Sequence, residues 1–163
     1  MSEKYNHCEL LEIAADIEET GKKLYTQLMD KTSDEELKAV WCFLAQKEEE
    51  HKKIFSDMLA SAQECTIFEY AQDDYSLYLK AVSENYVFTA RLIEEKKDEI
   101  FASSLKAVEF AISMEKESIL TYSALKEVLD QERRPVMDKV IAEEQKHWVE
   151  LEKVKKTLVN KGA

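Results

Sequence analysis

Residues that break regular helix are scarce in this chain, which has two glycines and one proline among 163 residues. No long stretch alternates apolar and polar side chains, so the pattern of a half-buried strand is missing and helices are expected to dominate. Cys8, Cys42 and Cys65 are three in number and widely spaced, with no Cys-x-x-Cys among them. They do not make a disulfide framework and fit a reducing compartment. The chain starts Met1-Ser2-Glu3-Lys4 without an apolar signal core, and no segment approaches the roughly 18 apolar residues of a membrane span. A cytoplasmic protein is the expectation. Cationic excess is also lacking. The net charge is -11, which argues against nucleic acid or an anionic membrane as partner, because acidic faces repel phosphate.

What is present is apolar periodicity at helical spacing. At 19.0 kDa the chain fits one domain, 1–163. A first helix is expected from about Cys8 to Asp30, with Ala14, Ile17, Gly21, Leu24, Tyr25 and Leu28 on one stripe. Ser33, with Glu36 three positions on, reads as a capping box opening a second helix through Val40, Leu44, His51, Phe55 and Met58. This first helix pair spans 8–63. Residues 64–103 are less regular, with short helices expected near Tyr75–Ser83 and just before the third helix. A connection of that length lets the second and third helices run parallel. The second pair, 104–160, places Val108, Ala111, Glu115, Ser118, Tyr122 and Leu125 on one face. Near Pro135, whose missing N–H is harmless at a helix start, it opens a last helix with Val140, Glu144, His147, Leu151, Val154 and Leu158 on one face.

Two of the three histidines fall in the same motif, Glu48-x-x-His51 and Glu144-x-x-His147. Each follows a helix in which a Glu precedes a Tyr by seven residues, Glu18 with Tyr25 and Glu115 with Tyr122. Glu18 lies 30 residues before Glu48 and Glu115 lies 29 before Glu144, so the chain reads as two copies of one helix pair. A residue three positions along a helix returns to nearly the same face, so Glu-x-x-His can bridge two metals with its carboxylate and bind one through its imidazole. The lone Glu of each remaining helix completes the set: Glu18, Glu48, His51, Glu115, Glu144 and His147. Such oxygen and imidazole donors suit iron or manganese, and zinc also fits. Four carboxylates on apolar stripes would each cost several kcal/mol unpaired, and two divalent cations cancel that charge.

Glu19, Glu49, Glu50, Glu117 and Glu143 lie close by, and any single Glu has a solvent-facing reading. Glu143 is four residues before His147, but Lys47 is four before His51, so the spacing common to both halves is three and favours Glu48 with Glu144. Tyr25 and Tyr122 read either as core aromatics or as hydroxyls that hydrogen-bond a carboxylate of the opposite helix. His7, near a terminus, reads as a surface or capping residue, Trp41 and Trp148 as packing or dimer contacts. Gly21 costs about 1 kcal/mol in a helix relative to Ala and marks a crowded approach by another helix or a small oxidant.

The segments Ile17 to Tyr25, Leu44 to His51, Met114 to Tyr122 and Ala142 to His147 resemble, in order, the four ligand segments of the rubrerythrin group of the ferritin-like superfamily. The resemblance implies an all-α, ferritin-like four-helix bundle with a long crossover between the second and third helices. It also implies a di-iron centre on the six residues above, and a homodimer. Peroxide-reducing members usually carry an extra Glu three residues after the third-helix ligand, where this chain has Ser118. They commonly bring a rubredoxin module with paired Cys-x-x-Cys, which is absent here, so a separate electron-donor protein is expected. The leading expectation is an oxidoreductase that reduces hydrogen peroxide or dioxygen, with Tyr25 and Tyr122 orienting carboxylates or lending protons. The alternatives are a ferroxidase-type iron-handling protein without sustained turnover, and a helical interaction bundle with no metal.

Overall fold

The computed structural model describes residues 4–62, 67–69 and 89–162. Four long helices dominate: α1 (His7–Lys31), α2 (Glu35–Ala60), α5 (Ser104–Val128) and α6 (Arg134–Asn160). The short helices α3 (Ala90–Glu95) and α4 (Lys97–Ile100) lead into α5, as expected for the end of the crossover. The helix expected at 75–83 lies outside the described residues. Two three-residue strands had no sequence signal: β1 (Lys4–Asn6) pairs antiparallel with β2 (Ile67–Glu69), Tyr5 opposite Phe68. The fold is the expected all-α, ferritin-like one. His7 opens α1, and its side chain lies outside the described residues.

The helix ends follow local chemistry. The cap of α2 is Asp34, not Ser33: its Oδ1 accepts from the Leu37 N–H at 2.9 Å. A carboxylate both satisfies an orphan N–H and meets the positive end of the helix dipole, so the chain starts the helix one residue later than the Ser-x-x-Glu spacing indicates. Ser103 caps α5 through the Lys106 N–H. Pro135 falls in the first turn of α6, where no intrahelical donor is needed.

Short turns make α1 and α2 one hairpin and α5 and α6 another. The hairpins meet most closely where α1 packs on α5, and α2 meets α6 more sparsely. All six stripe residues expected on α1 and all six on α5 are buried. The interior is divided into two apolar clusters. One contains Leu11, Ile17, Phe55, Tyr122, Leu125 and Met137. The other gathers Leu24, Tyr25, Trp41, Leu44, Val108 and Leu151. The α3–α4 segment closes the second cluster with Ile93 and Ile100.

The cysteines depart from the thiol reading. Cys42 carries a free thiol, but Cys8, buried at the start of α1, is disulfide-bonded. Spacing alone did not reveal this, because approach of distant segments is a tertiary property. Among the described residues, no helix is long and apolar enough to cross a membrane.

Candidate metal centre

Between the apolar clusters lies a layer of charge. Glu18, Glu48, His51, Glu115, Glu144 and His147 are all at most 5 % exposed, although carboxylates are rarely buried unless paired. Each sits on the apolar stripe of its helix, so folding the stripes inward carries all six together. The neighbouring carboxylates behave differently. Glu19 meets Lys23 and Lys52, Glu49 meets Lys22 and Glu50 meets Lys47, with side chains 30 %, 55 % and 60 % exposed. Helical phase thus separates the inward set from the solvated one.

The donor atoms form two groups. Atoms of Glu18, His51 and Glu144 lie within 4.8 Å of one another, and so do atoms of Glu48, Glu115, Glu144 and His147. Glu144 belongs to both. Its Oε1 is 2.6 Å from His51 Nδ1 and its Oε2 is 3.3 Å from His147 Nδ1, so one carboxylate presents one oxygen to each histidine. Glu18 Oε2 approaches His51 Nδ1 at 3.6 Å, and Glu115 Oε2 approaches His147 Nδ1 at 3.6 Å, repeating one arrangement in each half. The imidazoles stack at 5.7 Å.

Several of these close atoms are not hydrogen-bonded. Among the described residues, Glu18 Oε2, His51 Nδ1, Glu115 Oε2 and Glu144 Oε1 are buried side-chain atoms without a hydrogen-bond partner. The 2.6 Å approach of Glu144 to His51 lacks hydrogen-bond alignment and leaves both atoms unsatisfied. Orphaned buried polar atoms are costly, on the order of 1–3 kcal/mol each, and these four converge on one layer. Four carboxylates and two imidazoles are a donor set for hard to borderline divalent cations. The residues therefore fit the metal pair that the sequence implies.

Metal-free, the layer must balance its charge with protons. Burial, reinforced by the Glu144 charge, holds Glu18 well above the usual carboxylate range, and burial followed by the Glu18 charge does the same to Glu48. Glu115 is pushed to about 8 by burial and then by Glu144. Burial would also raise Glu144, but its contacts with Glu115, His147 and His51 outweigh it and hold that carboxylate well below its ordinary value. Burial opposes charge on the histidines. Contact with Glu144 nevertheless lifts His51 to about 9, and contact with Glu115 and Glu144 lifts His147 to about 10.

The tyrosines cross between halves. Tyr25 on α1 donates to Glu115 Oε1 on α5 at 2.5 Å, and Tyr122 on α5 donates to Glu18 Oε1 on α1. Burial, then the adjoining carboxylate, raises both phenols well above their ordinary value, so they remain protonated donors. Tyr25 stacks on Trp41 at 5.7 Å and Tyr122 tilts against Phe55 at 4.9 Å. Trp41 is fully buried, so packing is its structural role. Trp148 is half-buried, donating to Glu152 at 2.9 Å beneath the Lys116 ammonium.

Gly21 is explained by the same layer. A Cβ built there would stand 2.8 Å from Glu48 Oε2 and 3.1 Å from its Cδ, so the missing side chain leaves room for the α2 carboxylate to lie against α1. Ser118, three residues after Glu115 as Gly21 is three after Glu18, is buried on α5. Sequence reasoning set Glu143 aside in favour of Glu144 and gave it no role, whereas its Oε2 meets His51 Nε2 at 3.1 Å. It also passed over Phe43, whose ring meets His147 edge-on at 6.0 Å. One signal was available for Glu143: it sits one residue before a bridging candidate on the inward side of α6.

A helical bundle with a buried, twice-repeated carboxylate and histidine layer defines a class, and comparison narrows it. The rubrerythrin family model matches residues 9–155. The chain belongs to the rubrerythrin family. A solved structure from Thermotoga maritima, described as a ferritin-like diiron-carboxylate protein, is 23% identical with a TM-score of 0.69. The match covers 96% of this chain and 98% of that one, a likeness of fold. No curated protein matches the chain.

Proposed function

We propose that Glu18, Glu48, His51, Glu115, Glu144 and His147 hold two iron ions, and that the protein reduces hydrogen peroxide or dioxygen with electrons from a separate donor. The carrying observation is Glu144, shared by two buried donor groups with one oxygen toward each histidine. Family membership and the diiron-carboxylate description of the Thermotoga maritima neighbour favour iron over manganese or zinc. When bound, two ferrous ions supply the two electrons that, with two protons, take hydrogen peroxide to water or dioxygen to hydrogen peroxide.

The chain's own groups do the rest. Glu144, common to both donor groups, would help hold both ions, with Glu48, Glu115 and His147 for one and Glu18 and His51 for the other. The four carboxylates offset the charge of two divalent ions, and the neutral imidazoles add none. Tyr25 and Tyr122 fix the outer carboxylates by holding one oxygen of each, leaving the other oxygen free to face inward. The apolar clusters on either side exclude water from the layer. Ser118 brings no additional carboxylate to α5. A separate electron-donor protein and a homodimeric assembly complete the proposal, the assembly to be checked by mass in solution.

Stopped-flow mixing of the reduced, iron-loaded protein with peroxide and with oxygen tests the reading. The expected result is oxidation faster than that of free ferrous ion, repeated over many cycles when a reductant is supplied. A single round per iron pair would transfer the assignment to iron handling. Protein that takes up no iron would remove both readings.

A further inference from the structure

The two halves repeat the same three residue types, a lone Glu and a Glu-x-x-His, but the outer faces of the two histidines are not alike. His51 turns its Nε2 toward Glu143 Oε2 at 3.1 Å, across from α2 to α6. The Glu143 side chain is 40% exposed and lies 3.8 Å from Lys47 Nζ, while Lys47 pairs with Glu50 at 2.6 Å. A chain of charge thus runs from a fully buried imidazole to the surface along the sparse α2/α6 seam. The residue equivalent to Glu143 in the first half, one position before Glu48, is Lys47, and an ammonium accepts no hydrogen bond. His147 instead meets the edge of the half-exposed Phe43 ring, at 87° between planes.

We infer that Glu143 is a positioning residue for His51, accepting its Nε2–H so that Nδ1 faces the metal layer, and that the lack of a counterpart at His147 among the described residues makes the two metal sites inequivalent. This rests on the two-metal reading. An imidazole whose outer N–H is held by a carboxylate is fixed in ring orientation and tautomer and becomes a more basic ligand. His51 has that partner, and among the described residues His147 has an aromatic edge in its place. The ion near Glu18 and His51 therefore sits on a braced ligand, whereas the one near Glu115 and His147 depends on packing against Phe43. Glu143 lies too far out to join the inward set, and its orientation toward the opposite helix gives it this separate role.

Zinc, being diamagnetic, is the probe. Histidine ring resonances are recorded by 15N NMR on zinc-loaded protein, and zinc binding is followed by calorimetry, for the wild type, Glu143→Ala and Glu143→Gln. We expect two distinct Nε2–H signals in the wild type, one displaced downfield. Glu143→Ala should move that signal alone and weaken one of two binding steps by about 10-fold, the lower end of the usual effect of removing such a partner. Glu143→Gln, which retains an acceptor oxygen, should fall between. If Glu143→Ala leaves both signals and both steps unchanged, or moves the two histidines equally, the inference is overturned while the two-metal reading stands. Wild-type protein that binds no zinc, iron or manganese overturns both. Because Glu143 is partly exposed and outside the apolar clusters, Glu143→Ala should stay folded without metal, which separates positioning from a folding defect.

Discussion

The α1/α2 hairpin and the α5/α6 hairpin carry matching ligand sets in different settings. The first has Gly21 three residues after its lone Glu, and that gap admits the Glu48 carboxylate; the second has Ser118 at the same place. The first supplies Trp41, stacked on Tyr25, while the second supplies Tyr122, which tilts on Phe55 of α2. Lys47 precedes one motif and Glu143 the other. A repeat fixes which atoms converge, because the same helical phase recurs. What surrounds them is free to diverge, and the divergence is where two similar metal sites acquire different properties.

The harshest break is at the shared residue. Glu144→Ala should abolish binding of both ions, whereas Glu18→Ala and Glu115→Ala should each weaken chiefly their own half; metal content by atomic spectroscopy separates the cases. Equal losses in all three variants would contradict the bridging role of Glu144. Next in size is the packing comparison. Trp41→Ala and Phe55→Ala each empty a fully buried aromatic site and should cost about 3–5 kcal/mol in urea unfolding. Trp41→Ala should additionally loosen Tyr25 and so Glu115, lowering metal affinity on that side.

A sharper contrast comes from Gly21→Ala and Ser118→Ala. Alanine is favoured over glycine by about 1 kcal/mol within a helix, yet here its Cβ lands on the Glu48 carboxylate. Gly21→Ala should leave the metal-free protein folded and lower metal affinity, read by calorimetry, and Ser118→Ala should change metal affinity little.

Proton balance supplies a subtler prediction. At neutral pH, loading two divalent ions should release protons from Glu115, His51 and His147, which hold them up to about 8, 9 and 10. A weakly buffered titration with a pH indicator counts them. Affinity should rise with pH until about 9 to 10, where His51 and His147 lose their protons unaided. Stability of the metal-free chain runs the other way. His51 and His147, raised above the unfolded value, stabilise it fully below about 6.5 and lose that contribution as pH passes 9 to 10. Glu18, Glu48 and Glu115, also raised, add to the loss because they must ionise while buried. Melting temperature with chelator present should therefore fall from pH 7 to pH 10, and metal should flatten the curve.

The helical stripes were legible because burial repeats every three to four residues and the chain has almost no breakers. The inward six were legible for the same reason, since Glu18 shares a stripe with Ile17 and Tyr25, and His147 with Val140 and Leu151. The start of α2 was misjudged by one residue because Ser33 and Asp34 both cap well and local spacing does not choose between adjacent caps. The strand pair and the disulfide at Cys8 were not legible, since both need segments far apart in sequence to meet.

By itself the sequence determined an all-helical bundle, the family, and the set of side chains placed on inward stripes, because helical phase is a local property written in residue spacing. Only the tertiary structure decided that Glu144 is shared by both donor groups, that each tyrosine serves the opposite half, and that Gly21 makes room for Glu48. It alone brought Glu143 to His51 and Phe43 to His147. Those relations depend on how the faces of separate helices meet, and a single helix carries no record of what will lie across from it.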